Sequence, residues 1–353
     1  MFFYRISFGF FTAATTTTQT TTATTTSTTT SSCGAACART PISSSSRLAY
    51  YKFESNTNDM TGTYPASGLS SPTYTTGYSG SCIYFDGTSF EQLMTSSMNL
   101  SSRSFTIEFW FYLTRISTQD NAFFGQQSLV NVGKYSLFLM SHLGKLYMGF
   151  YADDTSGGTL LKNATWYHAA FVYDNDLGQR SIYLDGAVDG QSATGVGPYL
   201  GGTGSMTIGS AKIDGTIGTP FFSGYLDELM ISTRVKSACE ILNDATLAAY
   251  FPFDNTLIDA GPNSLSLTAS GATFIVGYTN QGIYLSGANS YVQIGGLTGL
   301  GRSNHPYSIA FWVLPTVKGV LAHVSTNSSG KSLSTKLRHI VHLSSKDWVG
   351  VLR

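Results

Sequence analysis

At 353 residues the chain has room for about two domains. Twenty basic and twenty acidic residues cancel, and charged residues make up only 11% of the chain, so no basic field exists to attract nucleic acid. Tyr (21), Phe (22) and Gly (37) are plentiful while Ala- and Leu-rich helical periods are nearly absent. Aromatic, Thr-rich segments punctuated by glycine suit half-buried pleated surfaces, which predicts an all-β protein.

Residues 1–14 are apolar and end in small residues, like the end of a signal peptide, although Arg5 sits late for its charged region. The stretch is too short to span a bilayer, which takes about 20 apolar residues, and no other segment is a candidate span. Residues 15–46 are almost wholly Thr, Ser and Ala. So little apolar surface cannot offset the entropy of ordering, and a disordered, mucin-like stalk is expected there. Cys33 and Cys37 lie in or beside this tract, four residues apart and without a second pair at zinc-finger distance, so a redox or metal role is not expected and their pairing stays open.

From Leu48 onward strands are readable. Phe105, Ile107, Phe109, Phe111 and Leu113 alternate with Thr106, Glu108, Trp110 and Tyr112, the period of two that defines a strand. Further strand-like runs are Ser136–Met140, Lys145–Tyr151, Trp166–Tyr173, Arg180–Leu184, Ser205–Ile208 and Gly224–Ile231. Many are apolar on both faces, which suits two stacked sheets. Ser237-Ala-Cys-Glu240 reads as a capping box opening one short helix over Ile241 and Leu242.

The helix is followed almost at once by a second copy of the opening. Tyr50-Tyr-Lys-Phe-Glu54 returns as Tyr250-Phe-Pro-Phe-Asp254, and Ile83-Tyr84 with Gly87 returns as Ile283-Tyr284 with Gly287, a shift of 200. The shift becomes 202 where Phe105-Thr-Ile-Glu-Phe-Trp110 reappears as Tyr307-Ser-Ile-Ala-Phe-Trp312. A period this long marks a domain copied in tandem. The expected organisation is a leader (1–14), a stalk (15–46), one complete domain (47–245), a partial copy (246–330) and a basic tail without repeat equivalent (331–353). The partial copy has no readable counterpart of Trp166–Asp174 or of the closing Gly224–Ile241 unit. A half-sandwich leaves its apolar face and strand edges open, so it must lean on the first domain, pair with another chain or remain loose.

Four segments in this order resemble the laminin-G-like, concanavalin A-like jelly-roll domains: Leu48–Glu54 with Asn58-Asp59; Gly80-Ser-Cys-Ile-Tyr-Phe-Asp-Gly87; Phe105–Trp110 with Trp166–Asp174 and Ile182–Gly186; and Gly224-Tyr-Leu-Asp-Glu-Leu229 running into Arg234, Ser237 and Glu240. The resemblance implies an antiparallel two-sheet sandwich, complete once and partial once, of a kind used for binding and adhesion. Some relatives are glucanases, and retaining glycosidases need two carboxylates about 5 Å apart. The nearest pairs, Asp153-Asp154 and Asp227-Glu228, are adjacent and so are expected on opposite strand faces. An enzyme is not expected.

Asp227 alternates with apolar residues, and a buried carboxylate needs a partner. A salt bridge, with Arg234 as the nearest base, a cap by backbone N–H groups, or a structural Ca2+ shared with Asp59 would each supply one; the calcium reading rests on the resemblance. His168 is expected as a core histidine. Strand aromatics read as core, which leaves loop residues Tyr199, Phe221 and Phe222 as the free ones. Cys82 and Cys239 belong to strands and helix of one repeat and are expected close enough to pair. Asn99-Leu-Ser101, Asn163-Ala-Thr165 and Asn327-Ser-Ser329 are glycosylation sequons. The expected function is a non-catalytic, extracellular or cell-surface module binding a glycan or a protein; a structural spacer in a larger surface protein and a degenerate carbohydrate-active enzyme are the alternatives. Ligand identity and oligomeric state are not legible.

Overall fold

A computed structural model describes residues 3–4, 6–9, 46–68, 72–88, 92–115, 120–126, 134–150, 153–202, 204–211, 220–287, 289–301, 307–314 and 349–352. In chain order the strands are β1 (Phe3–Tyr4), β2 (Ile6–Gly9), β3 (Arg47–Tyr51), β4 (Thr73–Thr76), β5 (Ser81–Asp86), β6 (Leu93–Thr95), β7 (Phe105–Leu113) and β8 (Asn121–Gln126). Then come β9 (Leu137–His142), β10 (Lys145–Gly149), β11 (Asp154–Ser156), β12 (Trp166–Asp174), β13 (Gln179–Leu184), β14 (Ala187–Gln191), β15 (Met206–Ile208) and β16 (Ser223–Ser232). After helix α1 (Ala238–Thr246) follow β17 (Leu247–Phe251), β18 (Leu267–Ser270), β19 (Ala272–Val276), β20 (Gln281–Leu285), β21 (Tyr291–Ile294), β22 (Ser308–Val313) and β23 (Val349–Leu352). Two compact units result. The first is Ser43–Ala245 with Gly295–Gly299; the second is Met1–Ile42, Thr246–Ile294 and Leu300–Arg353.

The first unit is an all-β, antiparallel two-sheet sandwich. Its larger sheet runs β14–β13–β12–β7–β16–β5–β4, with β3 also paired to β16, and its smaller sheet runs β11–β10–β9–β8–β15–β6. The alternation of β7 explains how the sheets meet. Phe105, Ile107, Phe109, Phe111 and Leu113 enter one core with Phe123, Phe124, Leu139 and Leu146 of the smaller sheet. Each such side chain contributes about 1.5–3 kcal/mol on burial.

The outer face of the larger sheet is covered only in part. The segment leading into α1 lies over the start of β7, where the Thr106 hydroxyl donates to the Arg234 carbonyl and accepts the Lys236 N–H. Ile241 of α1 packs on Ala170 and Val172. The capping box forms as expected: the Glu240 carboxylate accepts the Ser237 N–H at 2.9 Å, and the Glu240 N–H donates to the Ser237 hydroxyl at 3.2 Å. Beneath this cover Lys236 is ion-paired to Glu108 and to Asp244 (2.7 Å), beside His168. Burial pushes the His168 imidazole down to about 4. It is a neutral core histidine.

The second unit has a four-stranded sheet in the order β17–β2–β22–β23, a three-stranded sheet β1–β20–β19 and a pair β18–β21. Within segment 331–353 the described residues are Val349–Leu352, and this strand β23 pairs β22 as Ala310↔Leu352 and Val313↔Val349. After the 202-residue shift these are the places of Glu108↔Ala170 and Phe111↔Tyr167. Backbone pairing needs no particular side chains, so Val-Gly-Val-Leu stands where Tyr-His-Ala-Ala stands without resembling it. The edge of β17 is likewise not left open. Phe3–Tyr4 and Ile6–Gly9, within segment 1–14, form β1 and β2, which pair within this unit. Residues 15–45, with Cys33 and Cys37, lie outside the described residues, as does Asn327. Among the described residues no helix is long and apolar enough to cross a membrane.

Candidate functional site

Where the cover over β7 ends, the outer face of the larger sheet carries a row of aromatic side chains. Tyr225 of β16 is directly opposite Tyr84 of β5 and directly opposite Tyr112 of β7, and Tyr112 is opposite Trp166 of β12. Four neighbouring strands therefore each place one aromatic ring on the same line. Ring centroids are 5.0 Å apart for Tyr84 and Tyr225, 5.5 Å for Tyr225 and Tyr112, and 5.7 Å for Tyr112 and Trp166. All four residues are half-buried, with the rest of each open to solvent. At the spacing of neighbouring strands the row spans about 14 Å.

The ends of the row differ in kind. Toward the strand interiors stands Tyr78, buried and stacked on Trp110, with its ring 6.3 Å from Trp166. Toward the strand ends the surface turns polar. The Thr114 and Ser223 hydroxyls lie 3.0 Å apart, and the exposed Asp86 carboxylate accepts the Thr88 N–H at 2.7 Å. Gly87 makes the turn with φ +83°, where an added Cβ would come within 2.9 Å of Ser223 and 3.0 Å of the Arg115 guanidinium. Only glycine fits that turn beside the exposed Arg115. Apolar faces next to convergent hydroxyls, a carboxylate and a guanidinium make a surface suited to a ligand with C–H faces and many hydroxyls.

Sequence reasoning assigned these aromatics to the core and offered Tyr199, Phe221 and Phe222 instead. The structure reverses most of this. Tyr199 and Phe222 are wholly buried core residues, and Phe221 is half-buried. Loops that cross the mouth of a sandwich can plug its core, whereas strand residues on a sheet's outer face are open wherever nothing covers them. The period of two placed Tyr112 on the outer face. Which rings share a row depends on register between distant strands, and no local signal carries it.

Asp227 and Glu228 do not point to opposite faces. The pairing of β16 with β7 shifts between Asp227 and Met230, and Glu228 has φ 52°, a β-bulge at which one extra residue is accommodated. Leu226 and Leu229 enter the core on either side, while both acids lie on the outer face and are buried. Asp227 accepts the Ser79 N–H at 3.0 Å and Glu228 accepts the Tyr50 phenol. Arg234 pairs with Glu240, not with Asp227. Burial, reinforced by Glu228, pushes the Asp227 carboxyl well up. Burial raises Glu228 to about 8, against the opposing pull of Lys52 and the Tyr50 bond.

Asp59 has a different task. Its carboxylate accepts the backbone N–H groups of Tyr50, Thr61, Thr63 and Tyr64 and the Thr61 hydroxyl. Burial alone would raise its pKa, but these bonds outweigh it and hold the group below the usual carboxylate range. Asp259 accepts from Tyr250, Gly261 and Leu265 in the same way. Both acids fasten the entry turn of their repeat. Asp59 and Asp227 are thus engaged separately, and among the described residues no group of three or more His, Cys, Asp or Glu is arranged to hold a metal ion.

Of the remaining expected sites, Cys82 and Cys239 are not joined. The buried Cys82 thiol donates to the Thr76 carbonyl at 3.6 Å. Cys239 is disulfide-bonded, and not to Cys82. The reason is placement. Cys82 is on β5 and α1 packs on β12, three strand spacings away, about 14 Å against the roughly 7 Å limit for a bridge. Asn99 and Asn163 are exposed. Asp153 is paired to Arg180 and Asp154 accepts the Tyr147 phenol at 3.0 Å.

The family model of the concanavalin A-like lectin/glucanases superfamily matches residues 85–242. Among solved structures, domain 4 of an extracellular arabinanase from Geobacillus stearothermophilus, in complex with arabinotriose, is similar at 20% identity and TM-score 0.46, over 56% of this chain and 97% of that one. The binding domain of a Paraclostridial mosquitocidal protein is similar at 12% identity and TM-score 0.46, over 66% of this chain and 61% of that one. A Trypanosoma rangeli sialidase bound to 2,3-difluorosialic acid is similar at 13% identity and TM-score 0.44; 57% of this chain spans only 32% of that one. No curated protein matches the chain.

Proposed function

We propose, from the premise that residues 85–242 belong to the concanavalin A-like lectin/glucanase superfamily, that the first unit is a non-catalytic glycan-binding module. Its ligand lies on the sheet face along Tyr84, Tyr225, Tyr112 and Trp166. The observation that carries this reading is the row itself: four rings in register, each partly exposed, bordered by the exposed Asp86, Thr114 and Arg115. Four aromatics aligned at an open surface are costly to leave in water without a purpose. Flat rings accept the C–H faces of sugars, and the polar border meets their hydroxyls.

A binding role rather than hydrolysis is supported by the acids. Asp227 and Glu228 are buried and engaged by the Ser79 N–H and the Tyr50 phenol, which supports a structural use of this pair over one facing a sugar. The disulfide-bonded Cys239 and the exposed sequons at Asn99 and Asn163 support an extracellular or cell-surface setting. The spacer reading predicts no ligand at all.

The test is a glycan array followed by titration of the best ligand against wild type and the Tyr112→Ala/Trp166→Ala variant. Loss of two central aromatic contacts is expected to weaken binding by about 30-fold or more. Phe221→Ala, away from the row, is the control and keeps wild-type affinity. No binding by the wild-type chain to any glycan would defeat the proposal, and equal binding by the double variant would defeat the assigned site.

A further inference from the structure

The first unit closes its larger sheet with β16, which lies between β3 and β7 and also reaches β5. The second repeat contains counterparts of β3, β5 and β7 in β17, β20 and β22, and its corresponding slot is filled by β1 and β2 from the other end of the chain. The match extends to single residues. Leu229, Met230 and Ile231 pair with Tyr51, Tyr50 and Ala49. Ile6, Ser7 and Phe8 pair with Phe251, Tyr250 and Ala249, the same three positions shifted by 200.

The other flank repeats the correspondence. Met230, Ile231 and Ser232 pair with Glu108, Ile107 and Thr106. Ser7, Phe8 and Gly9 pair with Ala310, Ile309 and Ser308, shifted by 202. At the near end Tyr225 and Leu226 pair with Tyr84 and Ile83, and Phe3 and Tyr4 pair with Tyr284 and Ile283. The one departure falls at the bulge. Asp227-Glu228 separates the two halves of β16, and Arg5 alone separates β1 from β2.

We propose that the second repeat is a strand acceptor, and that Phe3–Gly9 is its donor strand, bound in the register of the strand that closes the first repeat. A slot with a strand on each side presents two rows of backbone N–H and C=O groups that must be satisfied, and an extended segment satisfies both at once. The ladder supplies the binding energy without requiring the donor to resemble Gly224–Ile231, which is why its sequence does not. Residues 10–46 join the donor to the first repeat and reach up to about 120 Å at full extension, so the connection permits donation within one chain. Tethering raises the donor's effective concentration above that of a free segment, and this favours its own N-terminus over that of a second copy.

Two measurements on the full chain test this. Ser7 and Ala310 are direct partners, so Ser7→Cys/Ala310→Cys should form, on mild oxidation, a bridge between those two positions within a monomer, identified by peptide mass. A bridge found only between chains would replace the proposal with strand exchange between copies, and no bridge would overturn it. In hydrogen exchange, Phe8→Pro removes a ladder donor and should speed the amides of 247–251 and 308–310 by about 100-fold, with β3, β7 and β16 unchanged. Unaltered protection of 247–251 and 308–310 would show that Phe3–Gly9 does not hold the slot.

Discussion

Tyr225 and Tyr112 face each other across the β16–β7 ladder with ring centroids 5.5 Å apart and planes at 69°, although more than a hundred residues separate them in sequence. Their contact makes one surface of two shorter ones: Tyr84 extends it on one side and Trp166 on the other. Trp166 is partly exposed while Trp110 is 6% exposed and stacked under Tyr78. A glycan on the row should therefore change Trp166 emission and leave Trp110 unaffected. Trp166→Phe is expected to remove the ligand-induced fluorescence change, and Trp110→Phe to retain it, in a titration of the two variants.

Lys236 is 2% exposed and is paired to both Glu108 and Asp244. Lys236→Met fits the space but leaves two buried carboxylates without their cation. A loss of about 3–5 kcal/mol is expected by denaturant titration at pH 7. Adding Glu108→Gln should recover part of it, since one stranded charge is then removed.

Glu228 gives the first unit a pH dependence of definite sign. Its native carboxyl is lifted to about 8 by burial, whereas an unfolded one titrates near ~4.3. Between those values the native state holds a proton that the unfolded chain has released. This contribution to stability is complete below about pH 4.3 and is lost as pH rises toward 8. Glu228→Gln keeps an acceptor for the Tyr50 phenol and cannot ionise, so the variant should be more stable than the parent at pH 8, by up to about 5 kcal/mol for a shift of that size, and nearly equal at pH 4. Melting curves across that range read the difference.

The cysteines should separate cleanly in chemistry. Unfolding without reductant and alkylating should label Cys82 and leave Cys239 in a cross-linked peptide. Mass spectrometry with and without reductant checks this, and a Cys82–Cys239 peptide would contradict the structure.

Local rules within the sequence determined a good deal of this protein. The alternation along Phe105–Leu113 fixed which side chains enter the core, because successive residues of a strand must face opposite ways. Ser237 and Glu240 wrote their capping box in four residues, and the tandem copy announced itself through the recurrence of Tyr50–Glu54 at Tyr250–Asp254. The same alternation gave a wrong answer at Asp227-Glu228, where a bulge interrupts the period. Everything else depended on which strand lies beside which. Tyr84, Tyr225, Tyr112 and Trp166 become a site only through the register of four strands, and Cys82 stands apart from Cys239 only because three strand spacings intervene. The pairing of Ile6–Gly9 with β17 and β22 likewise has no signal in the segment's own residues. Pairing between backbones is nearly blind to side chains, so tertiary structure alone decided these matters.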